Sequence, residues 1–150
     1  MRRTLGVSIV LMLLATLGGV AFAGQSSADD RSNVLTFTLI AEQDEASALD
    51  LGDEGVSAGD QIVFKDRLLR NGSQVGLLLV HCTGITLEWT QCVGTVDLPR
   101  GQITAQVAFQ APPFTIAITG GSGAYKTAHG QIRASVVDEE HARYRFKVIL

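Results

Sequence analysis

The chain has 150 residues, 46% of them apolar, with 12 basic against 15 acidic side chains and a formal net charge of −3. One domain's worth of length and an acidic balance exclude the basic stripe that nucleic-acid binding requires, so no nucleic-acid partner is expected. No His, Cys, Asp or Glu spacing matches a metal site, and no metal is expected.

The first segment reads as a leader rather than as part of a fold. Met1-Arg2-Arg3 is basic, Leu5 to Val20 carries no charge, and Ala21-Phe22-Ala23 is a small-x-small site. This is the pattern of a signal peptide over residues 1–23, cut between Ala23 and Gly24. The run is short for an uncleaved membrane anchor, so no membrane span is expected in the mature chain. Arg2-Arg3 hints at a twin-arginine route. The expected location is secreted or periplasmic. Removing the leader leaves 127 residues and takes away two basic side chains but no acidic one, for a net charge of −5. Residues 24–32, "GQSSADDRS", are small and polar and read as a disordered lead-in. The acidic residues crowd between Asp29 and Asp66 and read as solvated loop.

From residue 33 to residue 150 the apolar period is two. Leu35, Phe37 and Leu39 alternate with Thr36 and Thr38. "QIVFKDRLL" and "QVGLLLVHC" flank Asn71-Gly72, a strong hairpin signal. Cys82 and Cys92 are the only cysteines. In an exported chain they suggest a disulfide, with free buried thiols as the alternative. A hairpin centred near Leu87 sets them opposite each other on one face. Leu98-Pro99-Arg100-Gly101 forms the next turn. Ile103, Ala105, Val107 and Phe109 make one dry face, and Phe114, Ile116 and Ile118 another. "HGQIRASVV" and "ARYRFKVIL" follow, separated by Asp138-Glu139-Glu140. No window of eleven or more mature residues carries a helical stripe. The fold class is therefore all-β, with roughly eight antiparallel strands whose dry faces must meet. A closed eight-stranded barrel does this without exposed edges; a sandwich is the competing geometry.

The stretch "AITGGSGAYKTAHGQI", residues 117–132, is the densest in glycine. It lacks the third glycine of a dinucleotide loop, because Lys126 stands there, and a strand rather than a helix follows. It also lacks the last glycine of a nucleophile elbow. Gly120, Gly121, Gly123 and Gly130 then read as a structural turn, with Tyr125 filling space beside it.

That stretch resembles the signature of the allene oxide cyclase barrel and, more loosely, of dirigent proteins. Both carry an apolar strand, then G-G-S/T-G, any residue, an aromatic, and a further glycine. Gly59-Asp60 with Phe64 and Leu69, then Gly76 and Cys82, then "GQITAQ" follow in the family's order. The resemblance implies an eight-stranded antiparallel barrel around an apolar cavity that needs no cofactor. The implied partner is a small apolar molecule, bound or steered through cyclisation or isomerisation. Plant cyclases are oligomeric, so a homo-oligomer is an expectation from the resemblance alone.

The cyclase chemistry transfers poorly. Their catalytic glutamate falls on Leu39, their water-binding asparagine on Ala41 and their proline on Ala48. Only Ser47 matches, which leaves it as the catalytic candidate. Glu42 points away from Leu39 and Ala41 by strand parity unless a bulge intervenes. The candidate cavity lining is Phe37, Leu39, Ala41, Cys82, Tyr125, Tyr144 and Phe146. Tyr144 and Phe146 read more readily as core than as ligand contacts. His129 is a candidate for the cavity mouth, and His81 and His141 are surface residues. Trp89 is a candidate cap for one barrel end. Three functions stay open: a steering barrel with isomerase or cyclase activity, a lipocalin-like carrier, and a filled structural barrel.

Overall fold

Eight antiparallel strands close on themselves in a computed structural model that describes residues 33–150. The leader, its cleavage site at Ala23–Gly24 and the polar lead-in lie outside the described residues. The strands are β1 (Val34–Leu49), β2 (Gln61–Arg70), β3 (Ser73–Gly84), β4 (Thr90–Leu98), β5 (Gly101–Phe109), β6 (Phe114–Gly121), β7 (His129–Val136) and β8 (His141–Ile149). Each pairs with the next in sequence, and β1 pairs with β8 to close the ring.

Closure rests on the length of β1. Its first part, Val34 to Glu42, pairs with β8, and its second part, Ile40 to Leu49, pairs with β2. One 16-residue strand thus serves two neighbours and supplies the stagger that a barrel needs. The β2–β3 hairpin turns at Asn71 and Gly72, both at positive φ, as a two-residue turn of this twist demands.

Alternation sorts the side chains. Leu39, Leu68, Ile103, Ile132, Phe146 and Val148 point inward and are fully or almost fully buried. Thr36, Thr38, Arg145 and Lys147 occupy the intervening positions and face solvent. One irregularity breaks the parity of β1. The register with β2 shifts between Gln43 and Glu45, so Asp44 is an extra residue.

The barrel has two different ends. At the end holding the β2–β3 hairpin and the β4–β5 turn, the β6–β7 connection folds inward. Gly123 takes a φ of 59°, and a Cβ there would lie 2.5 Å from the Arg100 carbonyl oxygen. The Ala124 N–H donates to that carbonyl at 2.9 Å, and Ser122 Oγ accepts from the Gln102 N–H at 3.2 Å. This pins Tyr125 into the core, where it joins Ala128, Ile103 and Val148 and fills that end. Beyond it, Gly130 sits at φ 124°, and a Cβ there would lie 2.2 Å from the Lys147 carbonyl oxygen on β8. Gly130→Ala should therefore lower stability by more than about 1 kcal/mol, read as a lower urea midpoint. An unchanged midpoint would show that the β7–β8 ladder relaxes freely.

Candidate functional site

The opposite end stays open inside. A cavity of about 110 Å³ lies within the barrel, lined by apolar side chains from β2 to β8. Phe146 forms its floor, stacked on Phe37 with ring centroids 4.6 Å apart. Phe109 and Phe114, stacked at 4.3 Å, form part of the wall. Cys82 and Cys92 are paired directly across β3 and β4, face the cavity, and are joined in a disulfide. The bridge closes a short loop, so replacing both cysteines with alanine should cost about 2–3 kcal/mol in a urea titration. No loss would mean that the unfolded chain gains nothing from the missing cross-link.

A second concavity of about 430 Å³ forms the mouth. It is bounded by β1, β2 and the β7–β8 turn, and Phe64 and Tyr144 line both spaces. These two rings are the neck between mouth and cavity. Asp66 stands at the mouth, flanked on its own strand by the inward residues Phe64 and Leu68 and paired with Gln43 of β1. It is 7% exposed. No hydrogen bond or ion pair engages its carboxylate among the described residues. Burial, and then the neighbouring charge of Asp44, hold its pKa above the usual carboxylate value. Burial, reinforced by the charge of Asp66, pushes the Tyr144 hydroxyl up to about 12. Tyr144 is therefore a neutral hydrogen-bond donor at ordinary pH.

The acidic turn completes the mouth. Asp138, Glu139 and Glu140 line it together with His141. Asp138 Oδ1 lies 2.7 Å from His141 Nδ1; that contact raises the pKa of the imidazole and lowers that of the carboxyl.

The structure distributes the sequence candidates unevenly. Cys82, Tyr144 and Phe146 line the cavity. Leu39 and Ala41 are buried on the same inner face, and Ala41 also borders the mouth. Phe37 and Tyr125 lie deeper, behind the cavity floor and in the filled end respectively. Ser47 pairs with Val63 on the outer wall, because the extra residue Asp44 reverses its parity. That position carries it away from the cavity. The same bulge comes too late to turn Glu42 inward. Glu42 instead meets Arg67 Nη2 at 2.6 Å on the outer face. His129 begins β7 at the filled end, whereas His141 stands at the mouth. Trp89 is exposed and does not line the cavity.

Asp66 corrects the reading of the acidic stretch as solvated loop. The signal lay in "FKDRL": Phe64, Asp66 and Leu68 share a face, so the parity that buries two must bury the third.

A larger concavity, about 1120 Å³, runs across the outer wall past Ser47, Val63, Leu79, His81 and Val93. It is wide open to solvent, and its carboxylates Asp44 and Glu45 are tied to Lys65.

Comparison with known proteins follows the same lines. Residues 35–150 match the family model described as "Allene oxide cyclase barrel like domain". Among solved structures, a pyocyanin demethylase is 32% identical, with a TM-score of 0.72 over 76% of this chain and 99% of its own. The Diels-Alderase AbmU from Streptomyces koyangensis is 14% identical, with a TM-score of 0.64 over 81% of this chain and 69% of its own. A nonspecific heme-binding cyclase that catalyses a [4 + 2] cycloaddition is also 14% identical, with a TM-score of 0.58 over 79% and 66%. The last two likenesses are of fold alone. No curated protein matches the sequence.

Proposed function

The chain belongs to the allene oxide cyclase barrel-like family, and from that membership we propose that it is an exported barrel that binds one small, largely apolar molecule and rearranges it by proton transfer. One observation carries the reading: Asp66, an inward residue only 7% exposed whose carboxylate has no protein partner among the described residues, stands where an apolar cavity meets its mouth. Burial raises the pKa of this carboxyl, which brings an acid–base group toward the working pH range. In this reading Asp66 takes a proton from one atom of the bound molecule and returns it to another. Tyr144 donates a hydrogen bond to the atom on which negative charge gathers. The apolar wall fixes the conformation in which this happens. The net change is an isomerisation or ring closure, which balances without a cofactor. Export is supported by the leader pattern of residues 1–23 and by a disulfide that an oxidising compartment maintains.

A second reading, demethylation, draws on the 32% identity to the pyocyanin demethylase. One experiment separates the readings. Native mass spectrometry of the mature chain, as purified and after addition of pyocyanin, reports whether a small molecule is held. A product of equal mass supports rearrangement, and one lighter by a CH₂ unit, with a water consumed and the methyl released as methanol, supports demethylation. Release unchanged makes the barrel a carrier and contradicts proton transfer. No bound molecule at all means a filled barrel and contradicts both readings.

A further inference from the structure

We propose that the barrel selects a single six-membered ring with one polar group at its outer end, and that Gly94 and Ala105 set this limit. The proposal rests on the reading of the barrel as a ligand site and adds the size and polarity of the molecule it takes.

Two small residues make the cavity. Gly94 of β4 and Ala105 of β5 are directly paired, and both line the space. The neighbouring inward pairs, Cys92 with Val107 and Val96 with Ile103, carry full side chains into the barrel. The Gly94–Ala105 pair carries a single methyl group. The backbone does not demand this glycine. Gly94 is not at positive φ. A Cβ there would meet Val80 Cγ2 at 3.4 Å, an ordinary contact, and no other atom more closely. Gly123 and Gly130 have no such latitude, because a Cβ at either would run into a carbonyl oxygen. What Gly94 leaves is room.

The volume then fixes the occupant. The space measures about 110 Å³, on the scale of the dry apolar cavity of about 150 Å³ that takes up benzene elsewhere. A fused second ring exceeds it. The wall also resists stretching. The disulfide ties β3 to β4 two residues from Gly94. The stacked pairs Phe109–Phe114 and Phe37–Phe146 brace the wall and the floor.

Polarity follows from the lining. Among the side chains around the cavity only Tyr144, at the neck, carries a hydroxyl; the others are apolar or bridged cysteines. A polar group carried to the floor meets no hydrogen-bond partner and is penalised. The same group left at the neck has Tyr144 and the open mouth beside it.

The test titrates the mature chain with benzene, naphthalene, phenol and hydroquinone, read at the methyl groups of Leu78, Val107, Ile116 and Ile132. Benzene should bind at least tenfold more tightly than naphthalene. An unrestricted apolar site gives the reverse order, because affinity there grows with the area buried. Phenol should bind at least tenfold more tightly than hydroquinone, whose second hydroxyl must reach the floor. Gly94→Ala should weaken benzene at least threefold while raising the urea midpoint, and Ala105→Leu should abolish binding. The single methyl of Gly94→Ala keeps the test intact if Ala105→Leu fails to fold. Equal or tighter binding of naphthalene overturns the size limit and leaves the ligand-binding barrel standing. Equal binding of phenol and hydroquinone overturns the polarity in the same way. Unchanged benzene binding in Gly94→Ala, or weaker binding with a lowered urea midpoint, overturns the role of the pair. Silence of the cavity methyl groups with every probe overturns both the proposal and the reading of the barrel as a ligand site.

Discussion

Asp66→Asn is expected to lower turnover of the bound molecule by about 10²–10⁴-fold while making the folded chain more stable at neutral pH. The two effects share one cause. Asp66 is largely buried and has no partner among the described residues, so its ionised form is penalised by the fold. An acid whose pKa is raised on folding binds its proton more tightly in the native state than in the unfolded one. Below its ordinary unfolded value of about 4, both states are protonated and the penalty is absent. As the pH rises through the raised native value, the penalty grows to its full size. The asparagine variant never carries that charge. Its advantage should therefore be near zero in acid and grow as the pH rises through the raised native value. Urea unfolding of both proteins at several pH values reads the difference. An asparagine variant less stable than the parent at neutral pH would mean that the carboxylate has a native partner. Unimpaired turnover would remove Asp66 from the chemistry.

Phe146→Ala should produce the largest loss of stability, about 3–5 kcal/mol. Phe146 is 2% exposed, pairs with Phe37 across β1 and with Ile132 across β7, and separates the cavity from the filled end. Truncation forfeits its transfer energy, unstacks Phe37 and opens a void that the barrel wall cannot collapse to fill. Arg145→Ala, one residue away but outside the wall, should change stability by less than about 0.5 kcal/mol. Equal effects at the two positions would contradict the alternation on which the whole barrel is built.

Alternation explains what could be read in the residues. Tyr144, Phe146 and Val148 against Arg143, Arg145 and Lys147 fix β8 without any structure. Asn71-Gly72 fixes its hairpin, and Cys82 opposite Cys92 fixes the register of β3 on β4. What pattern alone could not supply was the extra residue at Asp44. A bulge has no compositional mark here, yet it decides on which side of the wall Ser47 stands. Counting in twos from Leu39 through Ala41 brings Ser47 inside, and one added residue turns it out. The two ends were equally opaque. That Tyr125 fills one end while Tyr144 guards the other depends on the β6–β7 connection folding over the β4–β5 turn. Only contacts distant in sequence decide this. Asp66 was misread with the acidic stretch, although strand parity sets it between Phe64 and Leu68 on an inward face.

The central claim is that a ligand enters the barrel rather than the larger groove outside it. Methyl NMR of the mature chain titrated with benzene, a ligand on the scale of the cavity, tests this most directly, because the two sites carry separate methyl groups. The account predicts shifts at Leu78, Val107, Ile116 and Ile132, which line the cavity, and silence at Val63, Leu79 and Val93 on the outer wall. Shifts confined to Val63, Leu79 and Val93 would contradict it.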